Sequence, residues 1–157
     1  MRYIALSILC ATIILASSQC EKAEPPNGHL NLFITYPEAV VVPNQPTYFI
    51  QVPAFGAEAR LYDKDAQCWG IRDARIDVAW IDGKPVESIY SQISNEKGEV
   101  FFNDVPKGQY YLVVFARQLT KYTEKYIEVS GGDTLKLVKN FTIDGAYHNK
   151  LEPWDHV

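Results

Sequence analysis

Ile93-Ser94-Asn95-Glu96-Lys97-Gly98-Glu99-Val100-Phe101-Phe102-Asn103-Asp104-Val105-Pro106-Lys107-Gly108-Gln109-Tyr110-Tyr111-Leu112-Val113-Val114 is the stretch whose punctuation decides the fold. Asn95 to Gly98 reads as a polar turn in which Gly98 takes the left-handed conformation. Glu99–Asn103 is rich in aromatic and β-branched residues, which suit a pleated strand. Pro106 then fixes φ, and Gly108 permits a sharp reversal into the apolar strand Gln109–Ala116. Gly98, Pro106, Gly108 and Tyr110 are therefore residues of the fold, with the Tyr110 hydroxyl anchoring the corner.

The pattern continues on both sides. Arg75-Ile76-Asp77-Val78-Ala79-Trp80 alternates, with Ile76, Val78 and Trp80 on one face and Arg75 and Asp77 on the other. Asp82-Gly83 supplies a tight hairpin turn, since both of its central positions need positive φ. Gly131-Gly132-Asp133 turns between two further strands. The predicted strands are Leu30–Thr35, Ala39–Val42, Thr47–Val52, Ala57–Tyr62, Arg75–Ile81, Glu87–Ile93, Glu99–Asn103, Gln109–Ala116, Lys125–Val129 and Thr134–Val138. Pro37, Pro43, Pro46 and Pro53 mark the N-terminal third as edge or short strands. No segment sustains a helical period. The expected fold is all-β: a single antiparallel β-sandwich of transthyretin-like or immunoglobulin-like type.

The turn, aromatic strand, apolar-Pro-x-Gly-x-Tyr corner and apolar strand together resemble the carboxypeptidase-regulatory-like domain, a transthyretin-like β-sandwich. Arg75–Trp80 and its turn look like that family's preceding hairpin, and the likeness covers about Ala57 to Val138. It implies a fold more than an activity, because such domains accompany many activities. A similar pattern occurs in Gram-positive pilin-like domains with internal Lys–Asn isopeptide bonds. No Lys, Asn and Glu set for that bond can be placed from the sequence. The ending Leu151 to Val157 does not carry the signature of transthyretin-like hydrolases.

The first residues read as an export signal. A positive start at Arg2, an apolar run from Tyr3 to Ala16 and small residues before Cys20 fit a signal peptide over 1–19. The run is shorter than the roughly 20 residues a spanning helix needs. Two readings stand at Cys20. In one, the chain is cut before Cys20, whose thiol carries lipid, and the charged, Pro/Gly-rich segment 20–29 is a tether; this resembles bacterial lipoproteins, including outer-membrane ones. In the other, suggested by the bulky Gln19, cleavage follows Ser18 and Cys20 pairs with Cys68 in a soluble periplasmic or secreted chain. Cys68 otherwise reads as a small buried residue. Segment 30–56 then supplies strands that pack on the sandwich, 57–140 is the sandwich, and 141–157 is a C-terminal tail.

Net charge is -4 and dispersed, with no basic stripe. Nucleic-acid binding is not expected, because phosphate contacts need clustered Lys or Arg. His29, His148 and His156 lack a metal-ligand spacing. Asp63-x-Asp65-x-Gln67 reads as a polar turn, since the glycine and distant Glu of a calcium loop are missing. No Ser or Cys shows a local nucleophile signature. Hence no enzyme activity, catalytic residue, metal or cofactor is expected.

Binding candidates come from strand Gln109–Ala116, where both faces are apolar. Tyr110, Leu112 and Val114 alternate with Tyr111, Val113 and Phe115. One face lines the core; the other is covered by a chain end or left to a partner. Trp69 and Trp154 are further candidates for stacking on a sugar ring. Asp133-Thr134-Leu135 resembles an envelope O-glycosylation site at Thr134. The expected role is a cell-envelope binding or assembly module, anchored to the membrane through Cys20, with an envelope protein or glycan as partner. The alternatives are a structural or adhesive subunit assembling by strand addition, and a small hydrolase.

Overall fold

The computed structural model describes residues 26–68, 71–72, 75–76, 79–143 and 154–156. The signal segment, Cys20, most of the tether and Trp69 lie outside these residues. In chain order the strands are β1 (Gly28–Val40), β2 (Tyr48–Pro53), β3 (Glu58–Asp63), β4 (Gln67–Cys68), β5 (Ile71–Arg72), β6 (Arg75–Ile76) and β7 (Ala79–Ile81). They continue with β8 (Lys84–Val86), β9 (Tyr90–Ile93), β10 (Glu99–Val105), β11 (Gly108–Ala116), β12 (Lys121–Val129), β13 (Thr134–Asn140) and β14 (Asp155–His156). The fold is all-β. No helix among the described residues is long and apolar enough to cross a membrane.

Two sheets make the sandwich. One runs β10-β1-β13-β14, with β2 also paired to β1; the other runs β12-β11-β3-β9. Their inward faces meet in one core: Leu30, Leu32 and Ile34 of β1, Val100 and Phe102 of β10, and Leu137 of β13 face Ala59, Leu61, Leu112, Val114 and Ile127. Removing such side chains from water is the main stabilising term. Among the described residues every pairing is antiparallel except β1 with β13, which is parallel from His29↔Thr134 to Thr35↔Asn140. β1, from the N-terminal segment, lies between β10 and β13 in the first sheet.

The expected strands Leu30–Thr35 and Ala39–Val42 are one strand, continuous through Pro37. The β13 ladder ends at Thr35, so Pro37 lies where β1 has β2 alone as a neighbour. A missing N–H is tolerated at such an edge. The expected strand Glu87–Ile93 begins later, at Tyr90, because Lys84–Val86 pairs with β7 across the Asp82-Gly83 turn. Both turn residues have positive φ, 50° and 73°. On β7 it is Ala79 that is buried, while Trp80 is exposed. The face expected to be apolar there is therefore turned outward at Trp80.

Turn chemistry fixes the corners. Gly98 has φ 74°, and a Cβ there would collide with the Ile34 carbonyl and stand 3.1 Å from the Ala54 nitrogen. That closeness exists because Ile34 N–H donates to the Gly98 carbonyl at 2.8 Å, and Ala54 N–H to the Ile34 carbonyl at 2.9 Å. Buried Ser94 ties the same corner: its hydroxyl accepts from Ala57 N–H at 2.8 Å and donates to the Ala54 carbonyl. At the next corner the Tyr110 hydroxyl donates to the Pro106 carbonyl at 2.8 Å.

Polar side chains close one end of the sandwich. Lys139 points inward from β13 and is fully buried, with its Nζ 5.5 Å from the Phe141 ring and 5.7 Å from that of Trp154. Lys121 Nζ donates to the carbonyls of Thr142 and Ile143, each at 2.7 Å. Trp154 thus packs on the first core and holds cations by their attraction to its π face.

Candidate functional site

The outward face of the second sheet is not bare. Tyr111, Val113 and Phe115 are 2% exposed or less, and they form a second apolar cluster with Tyr62, Ala66, Cys68, Ala79 and Tyr122. Among the described residues the cover comes from the β4-β7-β8 region, which lies between β3 and β9 in the chain. This corrects the expectation that Tyr111, Val113 and Phe115 offer a binding patch: the chain's own insertion uses that face. Cys68 is buried there, and its N–H donates to the Tyr111 hydroxyl at 3.2 Å.

Register sets the side chains of that face in rows. Tyr62, Tyr111 and Tyr126 are neighbours across β3, β11 and β12; Arg60, Val113 and Glu124 form the next row; Glu58, Phe115 and Tyr122 the third. Tyrosine ring centres stand 6.4 Å (Tyr62–Tyr111) and 5.2 Å (Tyr111–Tyr126) apart. The Tyr111 hydroxyl donates to the Glu124 carboxylate. Burial, followed by that hydrogen bond, pushes the Tyr111 pKa well above its ordinary value.

Along β3 the alternation Glu58-x-Arg60-x-Tyr62 places a charged pair at the margin of this face. Arg60 Nε donates to Glu58 Oε1 at 2.7 Å, Nη2 donates to the same oxygen, and Nη1 reaches the Tyr62 hydroxyl at 3.4 Å. Burial acts to lower the Arg60 pKa, but the hydrogen bonds to Tyr62 and Glu58 outweigh it, so the guanidinium stays charged. Glu58 is buried, and its second oxygen, Oε2, has no hydrogen-bond partner among the described residues. Beside the pair opens a cleft of about 570 Å³ between Arg60 and the Pro85–Ser88 segment, with Ser91 at its edge.

A different surface lies on β2. Its register runs from Thr35↔Pro53 to Val40↔Tyr48, and β1 is its sole partner among the described residues. The root of this two-stranded ribbon is tied down: the Thr35 hydroxyl bridges the Gln51 and Asn140 side chains, and the Gln51 amide donates to the Phe141 carbonyl at 3.1 Å. Beyond the root, Tyr48, Phe49 and Ile50 are 48%, 52% and 45% exposed. Successive strand residues point to opposite faces, so β2 presents apolar side chains on both, with Glu38 of β1 opposite Ile50 as the charged neighbour. β2 carries no charged residue.

The remaining expected residues take structural or surface places. Trp154 packs on the core, as described, and Thr134 is exposed at the start of β13. Gly98, Pro106, Gly108 and Tyr110 lie at corners. The Asp63 carboxylate accepts the Asp65 N–H at 2.9 Å, giving a polar turn after β3. No group of three or more His, Cys, Asp or Glu among the described residues is placed to hold a metal ion. Sequence reasoning missed Arg60, Glu87 and the β2 side chains. The polar-apolar alternation of β3 and the uncharged run between Pro46 and Pro53 are the signals that carried them.

The structure is similar to that of a minor pilin from the Gram-positive pathogen Streptococcus agalactiae. The TM-score is 0.43 and the identity 12%, with 78% of this chain and 47% of the pilin chain covered. The chain therefore spans about half the length of that pilin. It is also similar to a candidate carbohydrate-binding protein from Pseudomonas aeruginosa, with a TM-score of 0.41, 15% identity, and 75% of this chain and 90% of that chain covered. No family model and no curated protein matches the chain.

Proposed function

We propose that this chain is an exported, non-catalytic module of the cell envelope, of transthyretin-like type and tethered through Cys20. In this proposal it assembles by pairing the outer edge of β2 with the same edge of a second copy. The observation that carries this reading is the row Tyr48, Phe49 and Ile50, about half exposed on a strand whose sole partner is β1 among the described residues. An edge of unpaired backbone groups is a template for another strand, and proteins that avoid pairing protect such edges with charge. β2 has none. Two copies meeting antiparallel would form an isologous contact without like-charge repulsion along the edge. Each apolar side chain fully covered would add about 1.5–3 kcal/mol.

Light scattering on the chain tests this. The expected result is a mass that rises from monomer to dimer with concentration, and a monomer at all concentrations for the double variant Phe49→Lys/Ile50→Lys with unchanged circular dichroism. A wild-type monomer throughout, or a double variant that still dimerises, overturns the reading. The tether is tested separately by the intact mass of protein isolated from its own membranes. A chain starting at Cys20 with added acyl groups supports the anchor; a chain starting at Gln19 sinks it.

A further inference from the structure

The cleft beside β3 is independent of the assembly edge, and its chemistry is specific. Arg60 has five N–H donors in a planar fork. Three are directed at Glu58 and Tyr62, which leaves two for a ligand. The fork is held in place by buried Glu58, so presenting those donors costs little side-chain entropy. Glu87 and Ser88 also line the cleft, beside Pro85 and Val86, and Ser91 lines it as the neighbour of Arg60 across β9 and β3. Glu87 forms no ion pair among the described residues.

Charge decides which ligand fits. The single positive charge of Arg60 is already matched by Glu58, and Glu87 leaves the site net negative. A phosphate or carboxylate would meet more repulsion than attraction there. What remains is a mixed set: fixed donors on Arg60, a carboxylate acceptor on Glu87, and two hydroxyls that both donate and accept. Neighbouring hydroxyl groups of a sugar ring need that combination, and the C–H face of the ring suits Pro85 and Val86. The volume falls within the roughly 300–1,000 Å³ of ligand pockets. We infer that the cleft between Arg60 and the Pro85–Ser88 segment binds a neutral saccharide unit through its hydroxyl groups.

Calorimetric titration of the full chain with maltotriose, cellotriose and tri-N-acetylchitotriose, with inorganic phosphate as control, tests the inference. At least one trisaccharide should bind at millimolar concentration while phosphate does not. Arg60→Ala strands buried Glu58 and risks misfolding, so the informative variants are at the exposed positions Glu87→Ala and Ser91→Ala. Glu87→Ala should weaken binding about tenfold, which corresponds to about 1.4 kcal/mol, and Ser91→Ala should weaken it to a smaller degree. Phe49→Lys/Ile50→Lys should leave it unchanged. Absence of binding by all three sugars, binding indifferent to both cleft variants, or binding of phosphate instead would overturn the inference.

Discussion

The Lys139 ammonium lies 5.7 Å from the centre of the Trp154 ring, although the two residues reach the same end of the sandwich from separate strand segments. Lys139 is fully buried, and Lys125 approaches the same ring at 5.9 Å. The tryptophan is therefore a lid over charged side chains that the core would otherwise exclude. Cations over a tryptophan face contribute about 0.5–2 kcal/mol, more when shielded from water.

Replacing Trp154 with alanine should cost about 2–4 kcal/mol, combining lost apolar burial with the loss of the cations' aromatic partner. Trp154→Phe keeps a ring and should cost less than half as much. Urea unfolding monitored by circular dichroism measures both. An alanine variant as stable as the parent would show that Trp154 does not close the core.

Gly98 and Gly56 have nearly the same backbone angle, φ 74° and 75°, but different surroundings. A Cβ at Gly56 meets nothing within 4 Å, whereas one at Gly98 meets the Ile34 carbonyl and Ala54. Gly56→Ala should therefore cost only the left-handed strain, about 1–2 kcal/mol. Gly98→Ala should cost clearly more, because β1 must also move. Equal losses in thermal unfolding would contradict the close approach of β1 to this turn.

Tyr111 ties stability to alkaline pH. Its folded pKa is raised above the ordinary value of 10.0, chiefly by burial. The folded state therefore holds this proton more tightly than the unfolded chain does. That contribution is fully present below pH 10 and is lost as pH rises towards the folded value. Tyr62, Tyr110 and Tyr122 are also raised, with burial the first cause in each, so the protein should lose stability steeply above about pH 10. Tyr111→Phe should be about 1–2 kcal/mol less stable at neutral pH, through loss of its hydrogen bonds, but its alkaline decline should be shallower. Melting temperatures across pH 7 to 11 test both parts; identical slopes would count against Tyr111 as a source of the decline.

The local features of the fold were legible in the sequence. The Asp82-Gly83 hairpin and the Pro106–Tyr110 corner rest on turn chemistry within a few residues, and β11 shows its double burial as an unbroken apolar run. What escaped notice is non-local. Nothing near Leu30 signals a parallel ladder with Leu135, and nothing near Tyr111 says that Ala66, Cys68 and Ala79 will join it in one buried cluster. The cleft has the same origin: Arg60 and Glu87 lie on separate segments, brought together only when β9 pairs with β3. Pro37 misled because a proline within a strand pattern usually ends it; here the strand continues where one neighbour suffices.

Hydrogen–deuterium exchange of the Tyr48–Val52 amides at low and high protein concentration decides whether β2 is an assembly edge. Exposed edge amides exchange readily, whereas amides engaged in a ladder with another strand are protected. Protection in this stretch should rise with concentration, while the core amides of β11 stay unchanged. Exchange in β2 that does not depend on concentration, in a preparation that nonetheless forms dimers, would place the interface elsewhere and rule out β2 as the assembly edge.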